Sequence, residues 1–150
     1  MFWAAHTSCT FLRILTYTLS NAVFDCDDIG DQSVNLTVED VSGNQQSCTS
    51  LVTVLDGSVP AMLCSDITIS LDATGSATII PEDVNGGSAV SCGDLSLELS
   101  LTDFDCSLIG VNAVILTGTS DAGNQSSCNA NVQVLDNQAP VINCNTSLAV

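Results

Sequence analysis

FDCDDIGDQSVNLTVEDVSGNQQSCTSLVTVLDGSVPAMLC, residues 24 to 64, is the stretch that decides the organisation of this chain, because it returns as residues 104 to 144. The offset is 80 positions, no gap is needed, and 19 of the 41 positions hold the same residue in both copies. The shared residues include three cysteines, two glycines and a proline. An internal period of this size is typical of a tandem array of small domains.

The phase of the repeat predicts three parts in the chain. Residues 1–56 are expected to form a domain without its leading strand, because Met1–Cys9 aligns with Val84–Cys92 and nothing before it matches the start of the second copy. Residues 57–139 are expected to form a complete domain. Residues 140–150 are expected to be the leading strand of a next domain or a donor strand for a neighbouring subunit. A domain of about 80 residues has a small core, so disulfides are expected to stabilise it.

The charge of the chain argues against several classes of partner. It has 17 acidic residues, a single basic residue and a formal net charge of −16. Such a chain cannot neutralise phosphates, so neither nucleic-acid binding nor docking on anionic lipid is expected. No run of 18 apolar residues is present, so no membrane-spanning helix is expected. The acidity suits the solubility of a secreted protein.

The cysteine content indicates an oxidising compartment. Eight cysteines in units of this size predict a disulfide framework and an extracellular or cell-surface location. A zinc site is the competing interpretation, but no C-x-x-C pair occurs and the chain has one histidine. We therefore expect a secreted protein with bridged cysteines.

Alternation of apolar and polar residues with a period of two runs through most of the chain. Residues 95–102 are the clearest case, with leucine at every odd position and a polar residue at every even one. Turn signals such as Gly43-Asn44 and Gly123-Asn124 separate these segments, and glycine there suits a positive φ. No segment shows a convincing helical period. The pattern predicts an all-β chain of antiparallel β-sandwiches.

The repeated motif also resembles a known family. Its elements, in order, are Phe-Asp-Cys, Ile-Gly, Val-x-Leu-Thr, Gly-Asn-Gln-x-Ser-Cys and Val-x-Val-Leu-Asp-x-x-x-Pro-x-x-x-Cys. This string resembles hyalin repeats (HYR) and related bacterial immunoglobulin-like repeats of large secreted and cell-surface proteins. The resemblance implies tandem immunoglobulin-like antiparallel β-sandwich domains that serve as adhesive or spacer modules, and it brings no catalytic residues with it.

The immunoglobulin-like fold that this resemblance implies suggests the disulfides, because its first and last strands lie side by side in parallel. Cys64 opens the first strand of the complete unit and Cys128 opens its last, so these two are expected to pair. The other expected bridges join the cysteines that flank the next strand in each copy, namely Cys92 with Cys106 and Cys9 with Cys26.

Two cysteines have no partner in this scheme. Cys48 matches Cys128 but lacks a leading strand to bond, and Cys144 lies on a leading strand without the rest of its domain. We therefore predict that residues 140–150 of one subunit add a strand to the first domain of the next, with a Cys48–Cys144 bond. This head-to-tail contact does not close, so it gives a filament of copies of the chain. The alternative is that the chain is a set of adhesive or spacer repeats from a large cell-surface adhesin, whose flanking sequence supplies both partners.

Two groups of carboxylates raise calcium as a cofactor, because Ca²⁺ prefers hard oxygen ligands. One group follows the first Phe-Asp-Cys motif, and the other consists of the aspartates that precede the two repeated prolines, as at a calcium-stiffened domain junction. The candidate ligands are Asp25, Asp27, Asp28, Asp31, Asp56 and Asp136. Against calcium, no D-x-D-x-D-G loop is present, and the second copy has Ser107 and Leu108 at two of these positions.

The remaining candidates are modification sites and a weak catalytic pair. Three N-x-S/T sequons, at Asn35, Asn124 and Asn145, are candidates for glycosylation. An enzyme is not expected, because the cysteines are assigned to disulfides and Glu82 and Asp83 are adjacent in the chain. Neighbouring side chains on a strand point to opposite faces, so that pair could not act on one substrate.

Overall fold

The computed structural model describes residues 15–142, and β-strands dominate that part of the chain. Its contacts divide the chain into two compact units, Met1–Asp56 and Gly57–Val150, which we call unit 1 and unit 2. No helix in the described part is long and apolar enough to cross a membrane. The prediction of an all-β chain is confirmed, with one short helix as an exception.

Unit 1 contains a three-stranded antiparallel sheet. Its strands are β1 (Thr16–Leu19), β2 (Gly30–Glu39) and β3 (Gln45–Val54), in the spatial order β1–β2–β3. β2 and β3 form a long hairpin, and β1 lies along the second half of β2. Within residues 15–56, the outer edge of β3 has no strand beside it.

Unit 2 repeats this sheet and extends it. Its strands are β4 (Ile67–Ser70), β5 (Ser76–Thr78), β6 (Leu95–Leu99), β7 (Asp103–Asp105), β8 (Gly110–Ser120) and β9 (Gln125–Leu135). The larger sheet has the order β4–β9–β8–β6, and β5 pairs with β7 in a small second sheet. Strands β6, β8 and β9 correspond to β1, β2 and β3 at the offset of 80. β4 is therefore the additional strand, and it lies parallel to β9.

The core of unit 2 combines two sources of apolar side chains. The inward positions of β8 and β9 supply five residues, and β7 with residues 71–84 supplies four more. All nine are at most 2% exposed: Val114, Leu116, Ala130, Val132, Val134, Leu71, Ile79, Val84 and Phe104. Both sources are needed, because a strand face alone leaves half the surface of each side chain open to water.

The hairpin turns of both units use the predicted Gly-Asn signal in the same way. Gly43 and Gly123 both have φ of 82°, a conformation that side chains other than glycine rarely adopt. The N–H of Gly43 donates to the carbonyl of Asp40, and that of Gly123 donates to the carbonyl of Ser120. The turn therefore depends on local sequence and forms alike in the two units.

A short 3-10 turn before the central strand is a second shared element. It spans Cys26–Asp28 in unit 1 and Cys106–Leu108 in unit 2. The carboxylate of Asp25 accepts the N–H of Asp27, and the carboxylate of Asp105 accepts the N–H of Ser107. An aspartate at this position satisfies a backbone donor that the turn leaves open, which explains why the aspartate recurs in both copies.

The structure departs from the sequence analysis at one element and leaves another outside its range. α1 (Pro81–Val84) was expected to be extended, but Pro81 occupies its first position and the carboxylate of Asp83 accepts the N–H of Ile80. These two local features favour a helical turn over a strand. Of the predicted donor segment 140–150, residues 143–150 lie outside the described residues.

Candidate functional site

The outer edge of the last strand differs between the two units. In unit 2, β4 lies along β9 with Ile67 opposite Val132 and Ser70 opposite Leu135. A Cys64–Cys128 disulfide, with Cα atoms 5.8 Å apart, joins the chain just before β4 to β9. This is the bridge that the sequence analysis paired. In unit 1, no described strand lies along the equivalent part of β3. A strand edge without a neighbour is a template for pairing with another chain.

The inner face of unit 1 is also open. Its sheet and the loop after β1 line an open pocket of about 220 Å³, which we call the acceptor face: Leu19, Asn21, Ala22, Phe24, Val34, Leu36, Ser50 and Val52. Adding 80 to these numbers gives, in seven of the eight cases, a residue of the unit 2 core or its margin. Phe24, Leu36 and Val52 are half-buried, whereas their counterparts in unit 2 are at most 2% exposed. Val34 is the one buried residue of the acceptor face, at 7% exposed, so this face is a counterpart of the unit 2 core with most of its side chains left partly exposed.

The sequence analysis predicted an open edge but not this face. The signal was available in part in the repeat, because several positions that are apolar in both copies lie in the core of unit 2. Phe24 and Phe104, and Val52 and Val132, are two such pairs. What the sequence could not show is which of those positions remain uncovered, since that depends on contacts made by residues far along the chain.

Cys48 lies on β3 at the position that Cys128 occupies on β9. Its thiol is exposed and free, whereas Cys128 is bonded to Cys64. Leu36 is opposite Cys48 across the hairpin, and Leu116 is opposite Cys128, so the two cysteines have the same register. Cys144, the predicted partner of Cys48, lies outside the described residues. The structure therefore presents a reactive group at the end of the open edge.

One predicted bridge is wrong. Cys92 is disulfide-bonded, but Cys106 is a free, exposed thiol, so the two are not joined. Cys106 lies at the start of the 3-10 turn after β7, and its Sγ is 3.8 Å from the carbonyl oxygen of Gly75. The physical reason is length: a strand rises about 3.3 Å per residue, so cysteines flanking one strand are too far apart for a disulfide.

Of the matching predicted bridge in the first copy, the structure describes one of the two cysteines. Cys26 is disulfide-bonded, and Cys9, its predicted partner, lies outside the described residues. The pairing of Cys9 with Cys26 therefore stays a prediction.

The predicted calcium ligands near the first motif do not come together. No three His, Cys, Asp or Glu side chains within residues 15–142 form a group able to hold a metal ion. Asp25 caps the 3-10 turn, and Asp28 accepts the N–H of Asp25 at 3.1 Å. Asp31 accepts the hydroxyl of Thr53 at 2.7 Å, across the hairpin. Asp25, Asp28 and Asp31 thus accept hydrogen bonds from local donors and do not converge on a common ion.

The junction aspartates and the sequons occupy ordinary surface positions. Asp136 is exposed and accepts the N–H of Gln138 at 2.9 Å, and Asp56 is half-buried. Asn35 is an exposed residue of β2, and Asn124 lies in the hairpin turn after β8. Asn145 lies outside the described residues. None of these positions adds to the acceptor face.

Three carboxyl groups of unit 2 have lowered pKa values because of local hydrogen bonds. The N–H of Asn131 at 2.7 Å, and then its side-chain amide at 3.2 Å, lower the pKa of Asp66. The Thr74 hydroxyl, followed by the N–H groups of Ser76 and Thr74, lowers the pKa of Asp72. The Ser107 hydroxyl and then its N–H lower the pKa of Asp105. Of the three, Asp66 bears on the pairing of β4 with β9, because it directly precedes β4 and its carboxylate accepts hydrogen bonds from Asn131 of β9.

Comparison with known proteins adds no relative. No protein-family model matches the chain, and no curated protein matches it significantly.

The pair Glu82 and Asp83 lies on α1, and the hydrogen bond from the N–H of Ile80 to the carboxylate of Asp83 gives that carboxylate a role in the turn. The acceptor face, the open edge of β3 and Cys48 are therefore the candidate functional site.

Proposed function

We propose that this chain is a structural extracellular protein whose immunoglobulin-like β-sandwich units join end to end in a linear fibre. A strand from residues 140–150 of one copy completes unit 1 of the next copy, and a Cys48–Cys144 bond fixes it. The fibre carries load through hydrogen-bonded strands, and its acidity keeps neighbouring fibres apart.

The observation that carries the proposal is the contrast between β3 and β9. The two strands have similar sequences, and each forms a hairpin of the same register with the strand before it, yet among residues 15–142 only β9 has a strand on its outer side. An open edge is a template for another strand and an aggregation hazard if left unfilled. Addition of a strand from a second molecule is an established way in which proteins recognise one another. Unit 2 supplies the geometry that such a strand would adopt.

The location outside the cell is supported by the disulfide chemistry. Cys64–Cys128 closes a loop with a sequence separation of 64, and Cys26 and Cys92 are also bonded. Structural disulfides persist in oxidising compartments and are rare in reducing ones. A fibre assembled by a disulfide needs the same environment.

The experiment is electrophoresis of the oxidised chain with and without a reductant, followed by mass mapping of disulfide-linked peptides. A ladder in multiples of the subunit, collapsing on reduction and carrying a Cys48–Cys144 link, is expected. Cys48→Ser should abolish the ladder, whereas Cys106→Ser is the matched control, because it removes the other exposed free thiol of residues 15–142.

Two outcomes would contradict the proposal. Monomers that keep Cys48 as a free thiol under oxidising conditions would exclude the intersubunit bond. A natural polypeptide much longer than 150 residues that survives reduction would favour the adhesin or spacer array, in which the same chain supplies the missing strand.

A further inference from the structure

The residues that cover the core of unit 2 show what the acceptor face of unit 1 lacks. β4 alternates, with Ile67 and Ile69 half-buried against the core and Thr68 and Ser70 exposed. The two isoleucines are therefore the side chains by which the leading strand fills the face next to β9. A strand that docks on unit 1 in the same way would present its own alternate residues to the acceptor face.

The repeat register assigns those positions in the donor segment. Counting 80 onward from Ile67 and Ile69 gives Ser147 and Ala149, and the exposed positions become Leu148 and Val150. The cysteines set the register between the donor strand and β3. Cys144 is the counterpart of Cys64, and Cys48 is the counterpart of Cys128, so a Cys48–Cys144 bond would hold the donor as Cys64–Cys128 holds β4. Where unit 2 has two isoleucines, the donor has a serine and an alanine.

This difference determines how strongly the donor can bind without a covalent bond. Each methylene buried in the contact strengthens binding by roughly fourfold, and a short strand gains few other contacts. A serine and an alanine carry fewer apolar carbons than two isoleucines, so a strand in this register would fill less of the acceptor face than β4 fills of the unit 2 core. A parallel strand of four residue pairs, as in β4 and β9, forms few hydrogen bonds against the entropy of association.

We infer that the acceptor face binds the Pro140–Val150 segment of a second copy as a parallel strand along Val52–Leu55, weakly enough that the Cys48–Cys144 bond controls assembly. The inference rests on the proposed function and adds its register and its dependence on redox conditions. Assembly is then a switch: subunits exchange freely when the thiols are reduced and are locked when they are oxidised.

The locking step balances with a low-molecular-weight disulfide such as oxidised glutathione. The Cys48 thiolate attacks one sulfur of that disulfide, forms a mixed disulfide and expels one glutathione thiolate, which takes up a proton. The Cys144 thiolate of the second copy then attacks the Cys48 sulfur and expels the second glutathione. Two protein thiols lose two electrons and two protons, and the oxidant is reduced to two thiols.

The test is self-association of the full chain, measured by sedimentation velocity with a reductant selective for exposed disulfides and again with oxidised glutathione. The wild-type chain should be monomeric in the first condition and polymeric in the second. The double variant Ser147→Ile/Ala149→Ile should associate without oxidant at concentrations at least about 100-fold lower than the wild type, because it refills the pocket. Mass mapping confirms that Cys64–Cys128 remains closed in every sample.

The matched control is Leu148→Ile/Val150→Ile, which changes the two outward positions of the same segment. It should leave association without oxidant unchanged. Association of this control as strong as that of Ser147→Ile/Ala149→Ile, or stronger, would overturn the register. Strong association of the wild type with reduced thiols would overturn the redox dependence. A Cys48–Cys144 bond within monomers would show that the donor belongs to the same chain. Failure of all variants to polymerise even when oxidised would overturn the proposed function itself.

Discussion

The two units of this chain have nearly the same sheet and very different interiors. β2 and β3 of unit 1 repeat the hairpin of β8 and β9, with the same register and the same turn. In unit 2, residues 62–84 cover that hairpin and reduce the exposure of its inward residues to nearly zero. The comparison teaches that hairpin formation here is local, whereas the core requires a segment distant in sequence.

The largest expected difference between the units is at the repeated phenylalanine. Phe104→Ala should lower the free energy of unfolding of unit 2 by about 3–5 kcal/mol, because Phe104 is 2% exposed inside the core. The equivalent change in unit 1, Phe24→Ala, should cost the monomer less, about 1–2 kcal/mol, since Phe24 is only half-buried. Amide hydrogen exchange of peptides from β3 and β9 measures both. Equal losses would mean that unit 1 has a cover equivalent to that of unit 2.

The repeated cysteine should give the next largest difference. Cys128→Ser removes a bridge with a sequence separation of 64 and should destabilise unit 2 by about 2–4 kcal/mol. Cys48→Ser should leave the stability of the monomer unchanged, because its thiol is exposed and free. Denaturant unfolding of monomeric samples provides the measurement. A comparable loss in Cys48→Ser would show that Cys48 already has a partner within the monomer.

The smallest expected effect concerns acid. The pKa of Asp66 is lower in the folded chain than its ordinary value of 3.8, so its contribution to stability is present above that value and is lost as the pH falls through the folded pKa. Hydrogen exchange of β4 should therefore rise below about pH 4, and Asp66→Asn should remove that part of the pH dependence. β1, which has no such carboxylate tether, is the reference strand. An unchanged acid response in Asp66→Asn would contradict the role of Asp66.

Much of the fold was predictable from the sequence because the repeat and the period-two pattern are local signals. The Gly-Asn turns and the strands of both hairpins followed from them. The Cys64–Cys128 pair followed instead from the immunoglobulin-like fold that the family resemblance implied. The short helix at Pro81 did not follow, since four residues are too few for a helical period. The Cys92–Cys106 pairing was wrong because adjacency along the sequence was given more weight than the length of the strand between the cysteines.

The site was predictable in part for the same reason. Cys48 stood out because pairing the other cysteines left it over, and the structure presents it as an exposed thiol. The acceptor face did not stand out, because Phe24 and Val52 have the same sequence signature as buried core residues. Exposure of these positions depends on the absence of a cover along the described part of unit 1, which no local pattern encodes.

The position of the Cys64–Cys128 bridge has a mechanical consequence. A pulling force that arrives from residues before Cys64 crosses the disulfide to Cys128 and leaves along β9 at Leu135. The intervening chain, with a sequence separation of 64, bears no tension while the bridge is closed. Its contour length is roughly 220 Å at about 3.4 Å per residue, and this length can add to the extension of the chain only after the bond is reduced. Unit 2 is thus a nearly inextensible link when oxidised, and it can lengthen by unfolding only after reduction.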